Sequence, residues 1–131
     1  MKKTPLLHAE LSATIARLGH GDTLVIGDAG LPVPPGVPCI DLALTANIPR
    51  MADVLRVVLQ EMQVESALLA DEFAPRNPAV HDEVRELLGD VPVQSVTHET
   101  LKAHSAHAKA VVRSGEFSPY ANVVLRSGVV F

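Results

Sequence analysis

Thr23-Leu24-Val25-Ile26-Gly27-Asp28 is a short apolar run closed by a carboxylate, the pattern of a strand buried on both faces. The segments around it read as alternating helices and strands. Ahead of it, Leu7, Leu11, Ile15 and Leu18 recur at i, i+4, i+8 and i+11, one face of a helix. Glu10 suits the positive end of that helix, and Gly19 is a natural stop. Behind it, Pro32, Pro34, Pro35 and Pro38, with Gly30 and Gly36, make an irregular loop. Residues 39–44 read as a short strand. Pro49 opens a second helix with Met51, Val54, Leu55, Val58, Leu59 and Met62 facing inward.

The alternation continues to the end of the chain. Residues 64–70 form an apolar strand ending at Asp71-Glu72, and Pro75 and Pro78 mark a loop before a helix bearing Val80, Val84, Leu87 and Leu88. Residues 91–97 read as a strand that tolerates Pro92 at an edge, residues 98–108 as a helix and residues 110–113 as a strand. A loop over 114–121 leads to a last strand over 122–126. Strands alternating with helices at these spacings need crossover connections. The expected fold is α/β: one domain over residues 1–131, a three-layer α/β/α sandwich with a largely parallel, mixed sheet.

Composition narrows the function classes. The net charge is −4 and the pI about 5.8, and no basic cluster forms the footprint that nucleic acid requires. No stretch approaches the ~20 apolar residues of a membrane span. Met1-Lys2-Lys3 is followed only by Leu6-Leu7 before His8 and Glu10, so no signal-peptide core is expected. Cys39 is the only cysteine, which excludes an internal disulfide and suits a reducing compartment. The expected location is cytoplasmic.

Several side chains are candidates for chemistry. His20 lies between Gly19 and Gly21; it either completes a helix cap or moves protons near neutral pH. Asp28 ends the first strand, where ligands bind in open α/β sheets, and a carboxylate there either accepts bonds from sugar hydroxyls or caps the following turn. His98 follows a strand in the same way, with Lys102 four residues on; alternatively Thr97 is a helix cap and His98 its first residue. The loop Ser114-Gly115-Glu116-Phe117-Ser118-Pro119-Tyr120-Ala121-Asn122 contains the only tyrosine. An aromatic face fits the C–H face of a sugar, unless Tyr120 packs under its own loop. His104 and His107 have metal-compatible spacing but no evident third ligand, so no metal site is expected. Glu61 and Glu65 read as exposed charges between elements. Phosphate-cradling glycines and a GxSxG elbow are absent.

Taken together, these residues resemble the D-ribose pyranase family and its L-fucose mutarotase relatives. The resemblance rests on Arg17-Leu18-Gly19-His20-Gly21-Asp22, Asp28-Ala29-Gly30-Leu31-Pro32, Asp41-Leu42-Ala43-Leu44-Thr45, Thr97-His98-Glu99, the loop over 113–122 and Gly128-Val129 near the end, together with Gln60-Glu61-Met62-Gln63-Val64-Glu65. The second and fifth of these resemble the ribose branch more than the fucose branch. The resemblance implies a cofactor-independent isomerase that interconverts β-pyranose and β-furanose D-ribose and supplies the furanose to a sugar kinase, ribokinase. It implies His20 as proton donor and Asp28, His98, Tyr120, Ala121 and Asn122 as sugar-binding positions, with Lys102 a neighbour. It also implies a homo-oligomer, a decamer of two pentameric rings. The runner-up is a non-catalytic sugar-binding or sensing module with the same pocket.

Strand geometry adds one expectation. Asp28 and His98 both end strands and share an edge of a parallel sheet, and Tyr120 and Asn122 reach it if their loop is a hairpin connection. His20 precedes its strand, which puts it roughly 20 Å from that edge. Either the Gly19–Asp22 turn folds back over the sheet, or His20 meets its substrate across a subunit boundary. A ring-forming oligomer makes the second more economical, so the expected pocket is shared, with His20 from one subunit and part of the sugar-binding set from its neighbour.

Overall fold

The computed structural model describes residues 1–131. Its elements in chain order are α1 (Ala9–Arg17), β1 (Thr23–Gly27), β2 (Cys39–Asp41), α2 (Met51–Val58), β3 (Val64–Ala70), α3 (Phe73–Arg76), α4 (Pro78–Leu88), β4 (Val93–Val96), α5 (His98–Ser105), β5 (Ala110–Arg113) and β6 (Val123–Ser127). The strands form one six-stranded sheet in the order β2-β5-β1-β6-β3-β4. β1 and β2 run parallel to β5, and β3 parallel to β4; β6 lies antiparallel between β1 and β3. All strands but β6 therefore point the same way, and the sheet is mixed as the sequence predicts.

Leu24, Val25 and Ile26 of β1 are each 0% exposed, so the apolar run over 23–27 is the covered centre of the sheet. α2 packs on β1 and against α4, while α5 packs on β3 and β6. Right-handed crossovers put α2 and α4 on one face and α5 on the other. Fully burying such aliphatic side chains contributes roughly 1.5–3 kcal/mol each, so a polar residue at Val25 would break the fold before it altered any site. β4 is an edge strand with Gln94 and Ser95 exposed.

Three expectations change. Residues 73–76 form α3 instead of a loop: Phe73, 0% exposed, anchors it, and Pro75 sits in the first turn, where its missing N–H loses no helical bond. α2 begins at Met51, beyond the cis Ile48–Pro49 bond, with Asp53 Oδ2 accepting the Arg50 N–H at 3.2 Å. It ends at Val58, where the Gln60 and Glu61 N–H groups turn to Val57 and Val58 carbonyls three residues back. The 114–122 connection is not a hairpin between neighbours, because β5 and β6 flank β1. It passes over the carboxyl end of β1.

Candidate functional site

That crossing builds the site. Ser114 Oγ and N–H both donate to the Gly27 carbonyl, at 2.7 and 3.0 Å, fixing the loop to the end of β1. The Asp28 N–H donates to Asn122 Oδ1 at 2.8 Å, and Asn122 Nδ2 donates to Asp28 Oδ2 at 2.9 Å. Gly30 N–H donates to Asp28 Oδ1 at 2.9 Å. Asp28 thus caps its turn, and its carboxylate is fixed with acceptor capacity to spare: each oxygen has one bond from the chain and a further lone pair free. Asn122 is 0% exposed, with its amide turned onto Asp28 from both ends.

The rest of the edge is tied just as closely. Arg113 Nε donates to the Ala29 carbonyl at 3.0 Å, and its Nη1 donates to both oxygens of Asp41 at 3.2 and 3.0 Å. Glu116, only 4% exposed, accepts the Met51 N–H at the start of α2 and the Ser118 hydroxyl. Gly115 lies against the 44–49 segment so closely that a Cβ would stand 2.5 Å from the Thr45 carbonyl oxygen and 2.6 Å from that of Ile48. Asn47 N–H donates back to the Gly115 carbonyl and Asn47 Oδ1 accepts the Phe117 N–H. Asp28, Arg113, Glu116 and Ser118 line an open cleft of about 550 Å³, ample for a monosaccharide and its water.

Beyond Pro119, Tyr120 adopts φ +60°, a left-handed conformation that costs a residue other than glycine on the order of 1 kcal/mol. Asn77 holds it there by donating to the Ser118 hydroxyl and the Pro119 carbonyl. The Tyr120 ring meets His98 edge to face, with centroids 5.1 Å apart at 86°. Thr97 caps α5 by accepting the Thr100 N–H, so His98 is the first residue of that helix. Glu72 accepts the His98 N–H at 2.9 Å, while His98 Nδ1 is buried without a hydrogen-bond partner. Lys102 turns to Glu99 at 2.6 Å, and that contact holds the Glu99 carboxyl below its ordinary range.

His20 stands at the opposite edge. Its turn is latched to β6: the Gly21 N–H donates to the Ser127 carbonyl and the Ser127 N–H to the Asp22 carbonyl, both at 2.8 Å. Gly21 sits at φ +84°. The turn therefore does not fold back over the sheet. His20 Nε2 lies 3.1 Å from Glu65 Oε2, and Arg126 Nε is 3.4 Å from the same oxygen.

One edge thus gathers Asp28, His98, Tyr120, Ala121 and Asn122, with Lys102 on the helix that His98 begins, and excludes His20. Arg113, Asp41, Glu116, Asn77 and Glu72 complete the edge and were not singled out as site residues from sequence; for Arg113 and Asp41 the signal was a charged residue ending each of two parallel strands. Glu65, read as an exposed charge, has the proton-carrier candidate as its partner.

Fold and site define a small α/β protein with a polyol-sized cleft at the carboxyl edge of its sheet and a fixed carboxylate inside it. The chain belongs to the RbsD / FucU transport protein family, whose model matches residues 1–130. It is 58% identical to the D-ribose pyranase of Symbiobacterium thermophilum and 55% identical to that of Chloroflexus aggregans, each over 100% of both chains. Among solved structures, it matches Bacillus subtilis RbsD complexed with D-ribose at a TM-score of 0.97 and 42% identity, over 100% of both chains. The fucose mutarotase of Streptococcus pneumoniae in complex with L-fucose shares the fold, with a TM-score of 0.86 at 24% identity over 100% of both chains.

Proposed function

We infer that this protein is an isomerase that interconverts the β-pyranose and β-furanose forms of D-ribose, supplying the furanose to ribokinase. Its full-length likeness to D-ribose pyranases supports the reaction, and the observation that carries the chemistry is the Asp28 carboxylate, fixed by Asn122 with lone pairs free for sugar hydroxyls. Ring opening delivers a proton to the ring oxygen while the anomeric hydroxyl loses one. The open-chain aldehyde rotates, and the 4- or 5-hydroxyl closes the five- or six-membered ring with the reverse proton movements. No electrons change hands. His20 is the proton donor in this reading, and His98 or a water held by Asp28 is the base. Tyr120 supplies an aromatic face to the sugar, Asn122 and Ala121 fix the backbone and carboxylate that hold it, and Lys102 flanks the site.

His20 reaches the sugar from a neighbouring subunit. The latched turn supports this, as do the exposed apolar groups at both ends of the sheet: Leu44 and Phe117 beside the cleft, 81% and 72% exposed, and Val130 and Phe131 beyond the far end of β6, 85% and 102% exposed. Contacts between unlike ends generate closed rings where the rotation between neighbours closes. The assembly is a homodecamer of two pentameric rings, working in the cytoplasm. A single chain with a hydroxyl-binding cleft and a remote His20 also fits a sugar-binding or sensing module. Saturation-transfer NMR on ribose decides between them: added protein accelerates exchange between pyranose and furanose signals if it is the isomerase, and binding without acceleration leaves the sensing module.

A further inference from the structure

We propose that Glu65 is the positioning residue for His20, and that its bond to Nε2 leaves Nδ1 as the atom that moves the proton. The inference rests on His20 being the proton donor and concerns what aims it. Glu65 occupies an irregularity in β3: Val64 pairs with Ser127 and Ser66 with the adjacent Arg126, so Glu65 is an extra residue with no partner across the ladder. A bulge of this kind redirects a side chain. Here the redirected carboxylate meets the imidazole at 3.1 Å.

The local packing accommodates that geometry. A Cβ on Gly128 would sit 3.2 Å from the Glu65 Cβ, and one on Gly21 would sit 3.1 Å from Arg126 Nη2. Glycine at both positions leaves room for Glu65, His20 and Arg126 to converge. An ionised carboxylate only accepts hydrogen bonds, so Nε2 must donate. In the neutral ring Nδ1 then carries the lone pair, and in the cation Nδ1–H is the proton available to a ring oxygen. Arg126, 3.4 Å from the same carboxylate oxygen, anchors Glu65 from the other side. Stability does not explain the arrangement, because the His20 and Glu65 side chains are 59% and 45% exposed and such surface pairs contribute little.

The test is the ribose exchange rate of Glu65→Ala, Glu65→Gln, His20→Ala and the double variant His20→Ala/Glu65→Ala. Loss of aim costs turnover roughly 10- to 100-fold, so Glu65→Ala is expected to lower kcat by that much with KM nearly unchanged. Glu65→Gln, whose amide oxygen still accepts from Nε2–H, should retain most of the turnover. The double variant should be no slower than His20→Ala alone, since Glu65 has nothing left to aim. Wild-type turnover in Glu65→Ala beside an inactive His20→Ala overturns the proposal and spares the proton-donor reading. A double variant slower than His20→Ala by the full Glu65→Ala factor overturns it as well. Wild-type turnover in His20→Ala removes the proton-donor reading itself.

Discussion

At the carboxyl end of β1, Asp28 is held by three hydrogen bonds from within the chain, two with the buried Asn122 and one from Gly30. At the amino end, His20 has a single side-chain partner and leaves 59% of its side chain in solvent. The first end is rigid before any ligand arrives, so a polyol bound there, as proposed, would cost little rearrangement. The second end fixes its backbone and leaves its imidazole open to an approaching surface. In the proposed reading, recognition is built within a chain and proton transfer awaits a second one.

Separating the two ends by mutation should produce the largest effect. His20→Ala should lower exchange acceleration by roughly 10²- to 10⁴-fold, the usual worth of general acid–base help, with ribose affinity by calorimetry nearly unchanged. At ribose concentrations too low to fill the weakened Asn122→Ala pocket, mixing His20→Ala with Asn122→Ala subunits should raise exchange above the average of the two separate variants through hybrid pockets. No excess after verified subunit mixing would return both ends to one chain. Next in size, Asn122→Ala releases Asp28 and should weaken ribose binding about 10-fold, as expected for loss of a charge-assisted bond. An affinity equal to wild type would mean that Asp28 does not hold the sugar.

Two smaller effects probe how rigid the carboxyl end is. Tyr120 is the only tyrosine and there is no tryptophan, so emission reports the loop beside His98. Ribose should change it saturably, and a flat titration at concentrations that saturate calorimetric binding would take Tyr120 out of the site. The smallest effect concerns the charges at the start of α2. Burial alone would raise the Asp53 carboxyl, but hydrogen bonds from Arg50 and Arg56 outweigh it and hold the group below its ordinary value. Its stabilisation is therefore complete above the ordinary carboxylate range and is lost as pH falls through the lowered value. Asp53→Asn should remove about 0.5 kcal/mol at pH 7, as expected of a half-exposed pair, and flatten the decline in melting temperature below pH 5. An unchanged acid profile would show that the cluster does not stiffen this end.

The sheet was legible because β1, β3 and β5 are apolar runs bounded by turn residues; apolar periodicity placed α1, α2 and α4, and α5 was read from its place between two strands. α3 was hidden because Pro75 and Pro78 read as breakers, while a single buried Phe73 outweighs them. The position of β6 was hidden for a different reason: pairing between β1 and β6 joins residues about a hundred apart in sequence, and nothing local reports it. At the site, Asp28 and His98 could be assigned to one edge from strand direction alone, and so could the distance of His20. The Asn122 clamp and the Glu65 bulge could not, since each depends on contacts between distant segments.

Gly115 sets a condition on any attempt to re-engineer this cleft. With the Thr45 and Ile48 carbonyls where its Cβ would be, and with Asn47 bonded to both Gly115 and Phe117, the 44–49 and 114–122 segments are one part rather than two interchangeable ones. A graft that brings in either loop from a relative with another sugar preference would carry half of a matched pair. Only the two transplanted together would arrive as a working unit.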